Sequence, residues 1–161
     1  MPKINKKSEH GAALITSLLM VLVISILGVA VSQQVIALRK VSTANYDQTL
    51  SFNSAESALA AAHSVIAENF LDPPTLLSLA TDMNTTSNWW KSDANWSGAT
   101  ALSSAISESA VIPSYIIEND GTGGLAVGTG ELSKRYYRVT VKAQGKGDSV
   151  AFIQSYYVTL E

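Results

Sequence analysis

The sequence predicts an α+β fold: one long N-terminal helix, apolar in its first half and amphipathic in its second, packed on a three- or four-stranded antiparallel sheet. Three observations predict it. Near the start of the 161-residue chain, Ala12–Val31 runs for twenty residues without a charge. An apolar repeat of helical spacing follows, with no proline before Pro73. The last part of the chain alternates polar and apolar residues as strands do.

The overall formal charge of −2 hides three zones. Residues 1–40 hold five Lys/Arg against one acid, residues 41–133 one Lys against ten acids, and residues 134–161 five bases against two acids. This arrangement suits complementary packing between subunits better than nucleic-acid binding, which needs a basic patch over a whole face. The chain has no cysteine, which excludes a disulfide framework, a thiolate metal site and a cysteine nucleophile. An extracytoplasmic address stays open, because a domain of this size can bury a core of its own.

The first element is the segment 12–31. At 1.5 Å per residue it spans about 30 Å, the thickness of a bilayer's hydrocarbon layer. Lys3, Lys6 and Lys7 precede it and place the N-terminus in the cytoplasm by the positive-inside rule. A cleaved secretory signal would have a shorter apolar core, although Gly28-Val29-Ala30 offers a weak cleavage site. A plain uncleaved signal anchor is the second reading. The third starts from a short basic leader, Met1–Gly11, that ends in glycine directly before the apolar run.

The helix is expected to continue over 32–70. Phe52, Ala55, Leu59, Ala62 and Ile66 are spaced by three and four and form one stripe, with Gln48, Asn53, Glu56 and Ser57 between them. Asp72-Pro73-Pro74 closes the helix near Phe70, since a residue before proline is pushed out of the α region. Such a helix would be roughly 90 Å long. Its second half needs a domain to cover the stripe.

That domain is expected over 71–161. Short helices are predicted at Thr75–Met83 and near Thr100–Ser107. Trp89, Trp90 and Trp96 either anchor a polar loop to the core or stack on a sugar or partner. Tyr115-Ile116-Ile117 opens the first strand. Gly121–Gly130, with five glycines in ten residues, reads as a flexible loop or distorted edge. It precedes a strand rather than a helix, against a phosphate-binding loop. In the strand Arg135–Ala143, Tyr137, Val139, Val141 and Ala143 share one face and Arg138, Thr140 and Lys142 the other. Gln144–Asp148 turns the chain, and Val150–Leu160 returns antiparallel.

Little in the chain suggests catalysis. His10 and His63 are the only histidines, no G-x-S-x-G elbow occurs, and Asp120-Gly121 reads as a turn without the alternating acids of a calcium loop. No catalytic, cofactor or metal site is expected.

Taken in order, "GAALITSLLMVLVISILGVAVSQQ", "SFNSAESALAAA", "IPSYIIEND" and "YYRVTVKAQGKGDSVAFIQSYYV" resemble the PilX group of type IV pilus minor pilins. Residues 71–110 add little to the likeness. The resemblance implies a pilin-like fold and a class III signal. A prepilin peptidase would cut between Gly11 and Ala12 on the cytoplasmic side, and Ala12 would be methylated. It also implies a low-abundance subunit that starts pilus assembly with other minor pilins, at or near the fibre tip. Its partners would be those pilins, the major pilin, the peptidase and the inner-membrane assembly platform. The protein would sit in the bacterial inner membrane as a single-pass protein before reaching the surface pilus. Most pilins carry glutamate as the fifth mature residue, where this chain has Thr16. That carboxylate is thought to engage the neighbouring subunit's amino terminus, so a chain without it suits a leading position. A minor pseudopilin of type II secretion, or a membrane-anchored binding module using the tryptophans, are the alternative readings.

Overall fold

The computed structural model describes residues 9–104, 108–127 and 130–160, and it divides into two units, 1–43 and 44–161. Most of the expected leader, Met1–Ser8, lies outside the described residues. Helix α1, Glu9–Glu68, extends 60 residues. It meets no proline, and several of its hydroxyls bond back to carbonyls of the preceding turn. Ser25 Oγ donates to the Val21 carbonyl at 2.8 Å and Ser32 Oγ to the Gly28 carbonyl at 2.9 Å. Such bonds occupy the hydroxyl protons of these two serines within the helix.

In the second unit the chain leaves α1 two residues before the expected end. Asn69 Nδ2 donates to the Val65 carbonyl at 2.8 Å and closes the last turn. Asp72 then caps α2, Pro73–Leu79, accepting the Thr75 hydroxyl at 2.6 Å. The two prolines fill the first helical positions, where a missing N–H costs nothing. This helix is shorter than the predicted Thr75–Met83, because the chain then extends into β1, Thr81–Asp82. The helix predicted near Thr100–Ser107 is not formed at its start: Thr100–Ala101 is strand β2, and residues 105–107 lie outside the described residues. Backbone pairing across β3 overrides the weak local helical pattern there.

The long strands are β3, Ser114–Val127, β4, Gly130–Gln144, and β5, Val150–Leu160. The sheet order is β1-β3-β4-β5, with β2 also on β3. It has five strands rather than three or four, and β1 runs parallel to β3. Of the two readings of the glycine-rich stretch, the distorted strand rather than the flexible loop is formed among the described residues. As far as Val127 it is strand, paired with β4 from Thr122↔Arg135 to Val127↔Gly130, while residues 128–129 lie outside the described residues. Asp120-Gly121, expected as a turn, makes a bulge between Asn119 and Thr122. Gly121 takes φ +96°, and its N–H reaches Asn119 Oδ1 at 3.1 Å.

The core lies between α1 and one sheet face. Tyr137, Val139, Val141 and Ala143 are all buried, as their alternation requires. Opposite them α1 presents Ala55, Ala58, Ala62 and Ile66, each wholly buried. The buried line is rotated from the expected stripe. Phe52 is 49% exposed, Leu59 half-buried, and Ser51, Ser54 and Ala58 face inward. Small residues on this line let the helix pack against the bulky strand residues.

Candidate functional site

The apolar segment carries the first candidate residues. Residues 11–43 are exposed throughout, and α1 is the one helix among the described residues long and apolar enough to cross a membrane. At Gly11 a Cβ would meet nothing within 4 Å. Glycine in a helix costs about 0.5–1 kcal/mol relative to alanine, and no contact among the described residues requires it. Thr16 and Ala12 come together in one helical turn. The Thr16 hydroxyl lies 3.1 Å from the Ala12 carbonyl and 3.0 Å from that of Ala13.

Asp47 makes a contact the sequence did not disclose. Its carboxylate holds the turn between β4 and β5, with Oδ1 accepting from Gly147 N at 2.8 Å and Oδ2 from Ser149 N at 3.0 Å. Those backbone donors hold its pKa below the usual carboxylate range. A Cβ at Gly145 would overlap Asp47, so the turn's glycine permits the approach. On the neighbouring residue, Tyr46 donates to Glu108 Oε2 at 2.6 Å, and that bond to a negative group raises its pKa.

The sheet face turned away from α1 is also covered. There Glu118 on β3 stands directly across from Arg138 on β4, 1% and 7% exposed. Arg138 Nε donates to Glu118 Oε2 and Nη2 to Oε1, both at 2.8 Å, and Nη2 also reaches the Asn84 carbonyl at 2.7 Å. The hydrogen bonds to Glu118 hold the Arg138 pKa above its ordinary value. The segment 82–98 forms the cover. Trp89 is buried with its ring 5.8 Å from the Arg138 guanidinium, and Trp96 packs 6.0 Å from Phe152 on β5. Trp96 Nε1 donates to the Trp90 carbonyl at 2.8 Å, and Lys142 pairs with Asp93. The tryptophans therefore anchor a polar loop to the sheet. Only long-range pairing could have revealed this: Arg138 lies 54 residues from Asn84.

His63 packs against Tyr157 with ring centres 5.8 Å apart. Among the described residues no three His, Asp or Glu side chains converge into a metal-binding group.

A long helix, exposed and apolar at one end and packed on an antiparallel-rich sheet at the other, is the architecture of a pilin-type subunit. The comparisons are more specific. The PilX N-terminal family matches residues 10–60, and the family described as type IV pilus assembly protein PilX C-term matches residues 73–159. The chain belongs to the PilX family and is a type IV pilus minor pilin. No curated protein and no solved structure matches it.

Proposed function

We propose that this minor pilin primes pilus assembly with other minor pilins and leads the fibre at or near its tip, as a structural subunit without catalysis. The observation that carries the reading is Thr16. The position where most pilins hold a glutamate has no carboxylate, and its hydroxyl is bound to carbonyls of its own helix. Such a residue offers a preceding subunit's amino terminus a neutral hydroxyl oxygen but no counter-charge, and a leading subunit has no such amine to meet. Gly11 supports processing: among the described residues no neighbour needs a glycine there, and we assign its use to prepilin peptidase, with Ala12 the methylated first residue. On this reading 1–11 is a leader, 12–31 spans the inner membrane from a cytoplasmic N-terminus, 32–70 completes the helix and 71–161 forms the globular domain. The match to the pilus family favours the fibre over a secretion pseudopilus.

The test is Thr16→Glu with labelled subunits counted along sheared fibres. An unpaired acid in the bilayer costs about 2.5–3.5 kcal/mol on insertion scales, so incorporation falls or stays level and label stays at fibre ends. Abundant label along the shaft contradicts the leading position and leaves the family assignment untouched.

A further inference from the structure

Strands β1 and β2 both lie against β3 but leave a gap between them. β2 covers Ser114–Tyr115 and β1 covers Glu118–Asn119, so Ile116 and Ile117 have no strand partner on that side among the described residues. A cavity of about 160 Å³ opens at the gap, with Ile116 as one wall and residues of the covering loop around it. At about 30 Å³ per water it has room for roughly five, or for one small ring, and it is smaller than the clefts of about 300–1,000 Å³ that hold drug-sized ligands.

The polar groups around it are uncommitted. Trp89 lines the cavity and is 4% exposed, yet its indole Nε1 is buried without a hydrogen-bond partner. Buried donors in native structures nearly always have a partner, so one left over points to a bound group. Asn84 commits its Oδ1 to Thr86 N at 2.9 Å, and Asn95 its Nδ2 to the Trp89 carbonyl at 2.7 Å. The Asn84 Nδ2, the Asn95 Oδ1 and the exposed Asp82 carboxylate have no partner among the described residues. Charged guests are poorly served. No Lys or Arg lines the cavity among the described residues, and the Glu118 carboxylate in its wall is already paired with Arg138 and bonded to Asn84 N at 2.9 Å. No three acids or histidines converge there to hold a metal ion, among the same residues.

We infer that this cavity binds one neutral sugar ring, either free or as the end of a glycan. A hydroxyl both donates and accepts, so adjacent hydroxyls satisfy an indole N–H, an amide N–H and a carboxylate together. Ile116 offers an apolar wall to the ring's C–H groups. Trp89 has the Arg138 guanidinium over its ring at 5.8 Å, so its part is that of an N–H donor and not of a stacking platform. Gly98 supplies a variant that closes the site. It lines the cavity, a Cβ there would meet nothing within 4 Å, and its backbone is not left-handed, so leucine fits the fold at Gly98 and intrudes on the space.

The test uses the full-length chain in a detergent without a sugar headgroup, with its tryptophans labelled by nitrogen-15. The probes are glucose, galactose, mannose and N-acetylglucosamine, with glucuronate as the charged comparison. One neutral sugar is expected to shift the Trp89 indole resonance, assigned by its absence in Trp89→Phe, in a saturable way, and glucuronate to act more weakly. Asp82→Asn should weaken that binding about tenfold, as the loss of a hydrogen bond to a charged group does. Gly98→Leu should abolish it at an unchanged melting temperature. A short neutral oligosaccharide ending in the sugar that binds then separates the sources: tighter binding assigns a glycan end, equal or weaker binding a free sugar. A Trp89 resonance that none of the neutral sugars moves overturns the site and leaves a cavity filled by water only. Stronger binding of glucuronate overturns the neutral class, and undiminished binding in both variants overturns the location. None of these results bears on the tip reading.

Discussion

Replacing Arg138 by methionine tests whether the loop 82–98 is held to the sheet by a buried ion pair. In the intact protein the guanidinium spans both Glu118 oxygens and the Asn84 carbonyl. Methionine keeps most of the bulk beneath Trp89 but leaves a carboxylate 1% exposed without its cation. Removing one member of a buried pair costs about 3–5 kcal/mol, whereas replacing both with apolar groups is often close to neutral. Urea unfolding should therefore lose about that amount for Arg138→Met. At about 4 °C per kcal/mol, thermal unfolding of a domain this size should fall by roughly 10–20 °C. Tryptophan emission should shift to the red, because the loop that carries Trp89 comes away from the sheet once the guanidinium no longer holds the Asn84 carbonyl. The double change Glu118→Leu, Arg138→Met should recover most of the loss, giving a large coupling between the sites. A cost below about 1 kcal/mol for Arg138→Met, with unchanged emission, would refute the argument that this pair fastens the loop.

Two further outcomes follow from the packing of α1. Asp47 binds its proton less readily in the folded protein, so its contribution is complete above the unfolded carboxylate pKa and disappears as pH falls through the lower folded value. Exchange protection of the Gly147 and Ser149 amides should follow that titration in the natural chain and be low at every pH in Asp47→Ala. At the centre of the helix contact, Ala58→Leu should cost about 1–3 kcal/mol in denaturant unfolding, since a wholly buried alanine leaves no space for added methylenes.

What could be read from the sequence depended on periodicity. The inward face Tyr137, Val139, Val141 and Ala143 was legible because one alternation decides it, and α1 was legible because no breaker interrupts it. The inward helix line was only half legible: a stripe of large residues points to Phe52, but the close approach to the sheet favours Ala55, Ala58 and Ala62. The cover on the far face was not legible. Arg138 and Thr140 look solvated in sequence, and only pairing with Glu118 and cover by Trp89 bury them. Strands β1 and β2 are two residues each, too short for any pattern, and the glycines of β3 pair through backbone groups that leave no side-chain signal. Of the candidate site, Gly11, Ala12 and Thr16 were chosen by resemblance to a family, and periodicity alone would have missed them. Asp47 gave no signal, because its partners are backbone amides a hundred residues away.

The central claim, that this chain is processed and assembled as a type IV pilin, is tested most directly by the intact mass of the protein extracted from membranes. The account predicts a chain beginning at Ala12 and carrying one added methyl group on its amino terminus. A mass that retains Met1–Gly11, or one that begins after Ala30, contradicts it.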